Sequence, residues 1–267
     1  MDLSIITVTY NSQDHITGLL DTIQKSPDDL KKEVIVVDNK SKDNSAKLAR
    51  QHSSNPTVIE ALTNQGFSKG VNQGIAVSKG EYILLINPDT RLVGNCLQYL
   101  YDFAQSHQPL GAVAPQLLDM DGKPQASVYR FPTIANAIRH YFLGCKKCFG
   151  KYIPDKKIAK VQVAIMAAFL MPRSTIQEVG LLNEDYFLYY EDIEFSKRLY
   201  KADLPLYYYA KAKVRHAHGA SGGFTEHLKS PLLKSARQYH GQVGSRVLNF
   251  VLRAGQKYQK LIKRLSK

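Results

Sequence analysis

Short apolar runs recur along the first half of the chain and indicate β-strands. In the clearest of them, residues 82–86, five large side chains follow one another without polar interruption and without a helical period. Such a run is typical of a strand that is buried on both faces of a parallel sheet. Residues 3–8 and 34–37 are similar runs rich in β-branched residues, and a shorter strand is predicted at residues 57–59.

Amphipathic stretches separate these runs and indicate helices. Apolar residues recur at helical spacing at Ile16, Leu19, Leu20 and Ile23, and a further helix is predicted over residues 95–105. Later apolar runs predict strands at 112–114, 163–171 and 207–209. Alternation of this kind predicts an α/β domain around a mostly parallel sheet.

Polar side chains follow three of the predicted strands. Thr9 and Asn11 follow the first strand, Asp38 follows the second, and Asn87 and Asp89 follow the run at 82–86. Because ligands of open α/β sheets bind at the carboxyl ends of the strands, we expect these side chains to face one ligand. We predict that Asp89 holds a divalent metal ion on a nucleotide diphosphate.

Three further segments contain residues suited to chemistry. Residues 64–74 are rich in glycine and precede a helical pattern, which is typical of a turn or of a loop that approaches an anion. Glu191 and Asp192 begin a helical pattern among aromatic residues, where acids act as helix-dipole partners or as a general base. His216 and His218 lie in a predicted polar loop at 215–223, either as metal and phosphate contacts or as ordinary surface residues.

The net charge of +13 is concentrated near the carboxyl end. Residues 227–267 contain ten of the 36 Lys and Arg residues and no acid, so 26 basic and 23 acidic residues remain elsewhere. The same tail has apolar residues at helical spacing. A basic amphipathic helix can lie on an anionic membrane or dock on its own protein with a solvated basic face. Nucleic-acid binding is disfavoured, because no recognition motif accompanies the charge.

The remaining features limit the class of protein. No apolar run has the roughly 18–20 residues that a membrane span needs, and no signal peptide is evident. We therefore expect a cytoplasmic protein, peripheral on the inner face of the membrane. Cys145 and Cys148 have the spacing of a zinc or redox pair, but a second pair of ligands is missing, so we expect reduced thiols. Residues 131–160 fit a mobile lid or contact surface as well as a packing helix with an irregular loop.

Taken in order, these segments resemble the family 2 inverting glycosyltransferases, in particular their rhamnosyltransferase-like branch. Residues 6–11 and 36–39 are similar to the nucleoside-binding segments, and 64–67 with 72–74 to a loop of the rhamnosyl branch. Residues 85–89 resemble that branch's form of the Asp-x-Asp motif, with Asn87 in place of the first acid. Residues 187–194 resemble the segment with the catalytic aspartate. A late histidine motif of the family is resembled by His216 together with Gly219 and Ser221. Ala167 and Ala168 depart from the glycine that relatives usually have.

The resemblance implies a GT-A fold over residues 1–225, with a nucleotide-sugar-binding half at 1–115, an acceptor and catalytic half at 116–225, and a helical tail at 226–267. It implies that Asp192 is the catalytic base with Glu191 beside it, and that Asp89 and His216 bind Mg²⁺ or Mn²⁺. His218 and Ser221 are expected to contact the diphosphate. The implied contacts of the nucleotide-sugar are Thr9, Asn11, Asp38, Asn64, Gly66, Phe67, Asn72, Asn87 and Asp89.

The implied reaction transfers L-rhamnose from dTDP-L-rhamnose to a saccharide, with a lipid-diphosphate-linked acceptor, in bacterial cell-surface polysaccharide synthesis. A membrane contact through residues 244–267 fits such an acceptor. Two alternatives remain open: another donor such as a UDP-hexose, and a catalytically silent nucleotide-binding or membrane-docking subunit.

Overall fold

The apolar runs form the strands of a central sheet in the computed structural model, which describes residues 1–217 and 226–265. A separate pair of short strands, β7 and β9, lies beside this sheet. The strands are β1 (Leu3–Thr9), β2 (Lys32–Asp38), β3 (Thr57–Glu60), β4 (Tyr82–Ile86), β5 (Thr90–Val93), β6 (Ala112–Leu118), β7 (Val128–Tyr129), β8 (Ile158–Val161), β9 (Val163–Ala164), β10 (Ala168–Pro172) and β11 (Leu206–His216).

Helices connect the strands and cover both faces of the sheet. Helix α8 contains a kink at Gly241, whose φ of 70° and ψ of 169° divide it into segments 226–240 and 242–265. The helices are α1 (Gln13–Gln24), α2 (Ser45–Arg50), α3 (Phe67–Val77), α4 (Cys96–Ser106), α5 (Ile134–Phe142), α6 (Arg173–Val179), α7 (Glu191–Lys201) and α8 (Glu226–Leu265).

The strand directions bring several chain segments to one edge of the sheet. The order is β3-β2-β1-β4-β10-β6-β11-β5, with β8 paired to β11. Strands β1, β2, β3 and β4 are parallel, and β6 and β11 run the same way, whereas β5, β8 and β10 run in the opposite direction. The carboxyl ends of β1, β2, β4 and β11 therefore lie at a common edge, as the sequence predicts for the first three.

Two apolar layers hold the helices on the sheet, one on each face. Strand β4 contributes to both because its side chains alternate: Leu84 and Ile86 pack into the layer that contains α1 and α4. Ile83 and Leu85 pack into the opposite layer with α3 and α7. All five residues of β4 are buried, which explains why the run at 82–86 has no polar alternation.

In the second half of the chain one strand prediction is wrong, and another is confirmed but ends too early. The run at 163–171 is divided between β9 and β10, because residues 165–167 turn the chain from the small sheet into the large one. The predicted strand at 207–209 extends to His216, since β6 and β5 pair with the later part of β11 and satisfy its backbone groups. Arg215 and His216 thus end a strand and do not lie in a loop.

The prediction of reduced thiols at Cys145 and Cys148 is also wrong, because these residues form a disulfide. They lie in the irregular segment after α5, where a turn brings their Cα atoms to 5.5 Å, within the range that a disulfide requires. Cys96 is a buried free thiol.

Helix α5 explains where the tail packs. Thr133 caps α5 by accepting a hydrogen bond from the Asn136 N–H, and the helix lies along the second segment of α8. The ring of Tyr141 rests on Gly255, and the rings of Phe142 and Tyr258 lie 5.2 Å apart. The tail is therefore docked on the protein along one face.

We predict that Gly255→Ala destabilises this contact. A Cβ atom at position 255 would collide with the Tyr141 ring, and overpacking of this kind costs about 1–3 kcal/mol. Gly244→Ala is the matched control, because its Cβ would meet only the His240 Cβ at 3.5 Å and alanine favours the helix. Chemical denaturation of both variants checks the prediction. Equal stability of the two variants would contradict it.

Candidate active site

The polar ends of β1 and β2 are tied to each other at the common edge. In the parallel register Thr9 lies opposite Asp38, and both are buried. The Asp38 carboxylate accepts hydrogen bonds from the N–H and hydroxyl of Ser41, at 2.9 and 2.5 Å. The side chain of exposed Asn11 accepts a bond from the Lys42 N–H at 2.8 Å. These bonds order the two loops, and a nucleotide contact by Thr9, Asn11 and Asp38 stays a prediction.

Asp89 and His216 meet at this edge although 127 residues separate them in the sequence. The Asp89 Oδ1 and His216 Nε2 atoms lie 3.6 Å apart, with both side chains less than a tenth exposed. A backbone hydrogen bond joins the same two segments, because the Ala217 N–H donates to the Asp89 carbonyl at 3.0 Å. Strand β5, which follows Asp89, pairs with the end of β11 and places His216 opposite Thr90. Two strands thus converge on the predicted metal ligands.

The donor atoms of this pair fit a divalent ion. A carboxylate oxygen and an imidazole nitrogen are suitable ligands for Mn²⁺, and Mg²⁺ accepts a carboxylate together with substrate phosphates. Within residues 1–217 and 226–265, no group of three or more His, Cys, Asp or Glu side chains gathers to hold a metal. If Asp89 and His216 hold such an ion, phosphate oxygens and water would supply its other ligands. Asn87 lies beside them and donates its N–H to the Ala167 carbonyl at 3.0 Å.

The segment 64–74 contacts the loop that precedes the two acidic residues. The Asn64 side chain accepts from the Gly66 N–H at 3.0 Å, and the Phe67 N–H donates to the Phe187 carbonyl at 2.8 Å. Gly66 has a φ of 85°, and any Cβ there would collide with Phe187. Asn72 is buried and bonds both the carbonyl and the N–H of Leu182. These residues support the 182–187 loop, and their contact with a nucleotide-sugar stays a prediction.

Two tyrosines with positive φ lead into helix α7. Tyr189 and Tyr190 have φ angles of 67° and 69°, a region that bulky residues occupy only when the surroundings enforce it. The first segment of α8 supplies such surroundings. The Ser235 hydroxyl donates to the Leu188 carbonyl at 3.0 Å, and the Tyr239 ring lies 5.5 Å from the Tyr190 ring. The tail therefore helps to fix the backbone that positions the carboxylates.

Asp192 is surrounded by hydrogen-bond donors and a cation. The Tyr129 hydroxyl donates to Asp192 Oδ2 at 2.5 Å, and the Ile193 N–H donates to Oδ1 at 2.8 Å. Burial raises the pKa of Asp192, while Tyr129, the Ile193 N–H and Lys151 act to lower that pKa. Burial also raises the pKa of Tyr129 well above its ordinary value, so this phenol remains a donor at neutral pH.

Glu191 has a different environment from its neighbour. Burial, and next the charge of Asp192, raise the pKa of Glu191 from 4.5 to about 8. Its Oε2 atom is buried and has no hydrogen-bond partner within the described part of the chain. Glu191 is therefore mainly protonated at neutral pH, and the donors and the lysine around Asp192 favour the negative charge on that member of the pair. Environments that separate two pKa values in this way also separate the roles of the two groups.

The structure adds Tyr129 and Lys151 to the predicted site residues. Tyr129 is 63 positions from Asp192 in sequence, and neither residue lies in a motif that marks it. Only the pairing of β7 with β9, which lies against α7, brings Tyr129 to the base. His218 and Ser221 lie outside the described residues, so their diphosphate role stays a prediction.

Several characterised proteins have similar sequences. The chain is 32% identical over 203 residues to a low-salt glycan biosynthesis hexosyltransferase of Haloferax volcanii, covering 74% of this chain and 61% of that relative. It is 26% identical over 239 residues to an N-acetylglucosaminyl-diphospho-decaprenol L-rhamnosyltransferase of Mycobacterium tuberculosis, covering 83% of this chain and 78% of the relative. Rhamnosyltransferase WbbL of Escherichia coli is 27% identical over 253 residues, which cover 88% of this chain and 92% of that relative.

Solved structures show the same fold at low sequence identity. A mannosyltransferase of Pyrobaculum calidifontis, in complex with GDP-mannose and Mn²⁺, matches 98% of this chain and 75% of its own, with a TM-score of 0.64 and 15% identity. Residues 1–349 of TarS from S. aureus, in complex with UDP, match 94% of this chain and 70% of their own, with a TM-score of 0.60 and 17% identity. The prediction of a GT-A fold is confirmed.

A sequence profile connects these likenesses to one family. The profile described as "Glycosyl transferase family 2" matches residues 4–179, which extend from β1 to the end of α6 and include Asp89. This match covers well over half of the 267 residues, and the relatives above are named hexosyltransferases and rhamnosyltransferases. The protein therefore belongs to glycosyl transferase family 2 and is a glycosyltransferase.

Proposed function

We propose that this glycosyltransferase inverts the anomeric configuration and moves L-rhamnose from dTDP-L-rhamnose to a lipid-diphosphate-linked saccharide in bacterial cell-surface polysaccharide synthesis. The observation that carries the reaction type is the environment of Asp192: a single anionic carboxylate, held by Tyr129 and the Ile193 N–H, beside a protonated Glu191. That arrangement suits a general base whose position and charge are fixed before the substrate arrives.

The donor half of the proposed reaction centres on the pair Asp89 and His216. These residues would hold Mg²⁺ or Mn²⁺, and such an ion offsets the charge that develops on the departing diphosphate. Asn87, Asn64 and Phe67 lie along the same edge and are proposed to contact the nucleotide-sugar. The proximity of the Asp89 and His216 side chains supports this assignment, as does the Mn²⁺ in the mannosyltransferase complex.

In the proposed transfer step, Asp192 removes the proton from an acceptor hydroxyl while that oxygen attacks the anomeric carbon. The bond from the anomeric carbon to the diphosphate breaks at the same time, and the nucleoside diphosphate leaves with the bonding electrons. One displacement from the opposite face inverts the configuration and needs no covalent sugar–enzyme intermediate. Tyr129 and the Ile193 N–H keep the carboxylate oriented, which places the base without reorganisation during the reaction.

The proposed donor rests on the rhamnosyl-type loop at 64–74 and on two relatives named as rhamnosyltransferases. A hexose donor is the second candidate. It is favoured by the Haloferax volcanii hexosyltransferase and by a poly(ribitol-phosphate) β-glucosyltransferase of Bacillus spizizenii, 35% identical over 114 residues. The alternative of a catalytically silent subunit is disfavoured, because the chain belongs to family 2 and contains Asp89, Asp192 and His216, the residues proposed to carry the transfer.

The tail is proposed to attach the enzyme to the inner face of the cell membrane, where a lipid-linked acceptor lies. Within the described helices, none is long and apolar enough to cross a bilayer. The second segment of α8 buries Leu248 and Gly255 and has a second apolar face that remains open to solvent. Val243 and Phe250 are each 73% exposed and Leu261 is 54% exposed.

Basic residues lie between the buried and the open apolar faces of this segment. By helical periodicity, one exposed sector contains Arg246, Arg253, Lys257, Lys260 and Arg264. Ile138, Phe142 and Leu143 of the α5 region are exposed as well. Exposed apolar side chains beside a row of cations are typical of a helix that lies in the interface of an anionic bilayer. Docking on α5 and membrane contact are therefore compatible.

We predict that Asp192→Asn lowers kcat by about 10²–10⁴-fold without weakening binding of the donor nucleotide. An amide cannot accept the acceptor proton, whereas the nucleotide contacts proposed above do not involve Asp192. Asp185→Asn is the matched control, because Asp185 is exposed in the same loop, and it should retain activity. The assay uses sugar nucleotides, lipid-linked acceptors and Mn²⁺, with chelation expected to stop transfer. Unimpaired transfer by Asp192→Asn defeats the mechanism.

We also predict that Glu191→Gln removes a pH-dependent loss of stability. With a pKa of about 8 in the folded state and an ordinary value of 4.5, Glu191 keeps a proton that the unfolded chain releases. Wild-type stability should then fall between pH 5 and 8, by up to about 1.4 kcal/mol per pH unit, and the variant should not show this component. Urea denaturation measures the difference, with exposed Glu178→Gln as control. Parallel pH profiles of wild type and Glu191→Gln would refute the assignment.

For the membrane proposal, the full-length protein should co-sediment with vesicles that contain phosphatidylglycerol and less well with phosphatidylcholine alone. Binding should weaken at high salt, because the cationic contribution is screened. Phe250→Ser should weaken binding about tenfold through lost apolar burial, whereas Asn249→Ser on the neighbouring exposed position should not. Equal sedimentation of both variants, or no sedimentation of the wild type, removes the claim.

A further inference from the structure

A pocket of about 400 Å³ lies along helix α7, close to Asp192 but formed by other residues. We call it the α7 pocket. Most of its apolar wall comes from α7 and from the chain that follows α7, and its polar groups come from α7 and from three other places in the sequence. The lining residues are Arg130, Tyr152, Lys160, Val161, Gln162, Ser196, Leu199, Tyr200, Leu204, Pro205 and Leu206.

The segments that surround the base also form the α7 pocket. Tyr129 bonds Asp192, and the next residue, Arg130, lines the pocket. Lys151 interacts with Asp192, and the next residue, Tyr152, also lines the pocket. A bridge between Val128 and Tyr152 ties these two segments together. The pocket and the base are thus built on one framework.

Helix α7 gives the distance between Asp192 and the α7 pocket. Ser196 follows Asp192 by four residues, so it lies on the same face of the helix, about 6 Å further along the axis. Ser196 is 1% exposed, and its hydroxyl has no hydrogen-bond partner within the described residues. Buried hydroxyls normally have a partner, so this donor is left available for a ligand in the pocket.

The charge of the α7 pocket is positive. Arg130 and Lys160 are among its lining residues, and no Asp or Glu lines it. Arg130 has no carboxylate partner within the described part of the chain. The Lys160 ammonium lies 5.7 Å from the centre of the Tyr207 ring, which belongs to the apolar layer on the other face of the sheet, so Lys160 lines the pocket without placing its charge there. A guanidinium binds phosphate through two parallel hydrogen bonds. The chemistry therefore fits a phosphate group.

We propose that the α7 pocket binds the phosphate of a glycosyl phosphate or diphosphate acceptor, while Asp192 contacts a hydroxyl of the same sugar. The proposal rests on the proposed function, and it names the site for the charged part of the acceptor. One turn of helix, about 6 Å, is comparable to the width of a single sugar ring. The sugar that receives the new residue is then the one attached directly to phosphate. Arg130 and Ser196 donate to the phosphate oxygens, and the guanidinium balances part of their charge.

The test compares two acceptors that differ only in the phosphate. A short-chain lipid N-acetylglucosaminyl diphosphate and the alkyl glycoside of the same sugar are assayed with the wild type, Arg130→Gln and Ser196→Ala. Arg139→Gln, an exposed cation of α5, is the matched control. We expect Arg130→Gln to raise the KM of the diphosphate acceptor about tenfold, with donor KM and kcat little changed, and to leave the alkyl glycoside unaffected. Equal effects on both acceptors, or none on either, overturn the proposal.

Direct binding separates this proposal from the proposed transfer reaction. Calorimetry with N-acetylglucosamine 1-phosphate and with inorganic phosphate needs no turnover. Tighter binding of the sugar phosphate, weakened in Arg130→Gln and Ser196→Ala but not in Arg139→Gln, supports the pocket even when no transfer is detected. Equal binding of inorganic phosphate and sugar phosphate identifies an adventitious anion only and overturns the assignment. Absence of transfer by the wild type to every acceptor would instead defeat the proposed function.

Discussion

Two adjacent carboxyl groups lie at the start of α7 in residues that are only partly exposed, and only one of them can carry a charge there without a large cost in free energy. The environment decides which one. Asp192 receives two hydrogen bonds and a nearby lysine, whereas Glu191 has a buried oxygen without a partner in the described chain. Three other parts of the site stabilise the backbone that leads into these two residues. They are segment 64–74, the positive-φ tyrosines and the first segment of α8.

The parallel strands bring together residues that are far apart in the sequence. Thr9, Asp38 and Asp89 meet because β1, β2 and β4 run in one direction, and His216 joins them because β11 runs the same way as β6. Asp89 and His216 are therefore neighbours through the sheet, whereas Asp192 lies on α7, a helix that packs on one face of it. The family profile ends at residue 179, before both His216 and Asp192.

Much of the first half of the fold is predictable from the sequence because β1 to β4 and β6 are local apolar runs, whereas β5 is not and is not predicted. The apolar run at residues 82–86 predicts a buried strand, and the position of Asp89 just after it predicts an acid at the edge of the sheet. The second half is less predictable because its elements depend on their partners. Strand β11 extends to His216 only through pairing with β5, and the Cys145–Cys148 disulfide depends on a turn that composition does not mark. Tyr129 and Lys151 carry no local signal, since their roles arise from contacts with Asp192. The pairing of Asp89 with His216 follows from the family resemblance and from no local pattern.

The kink at Gly241 has a practical consequence for anyone who shortens this chain. The helical segment before the kink supports the backbone of Leu188 and Tyr190, and the segment after it has the open apolar side chains. Removal of the whole tail would remove the exposed apolar side chains, but it would also remove the packing that holds Tyr189 and Tyr190 at positive φ. An enzyme shortened after residue 241 keeps the support for its base, whereas one shortened before Ser235 does not. The kink therefore separates the part of the tail that supports the base from the part that packs on α5 and carries the open apolar face.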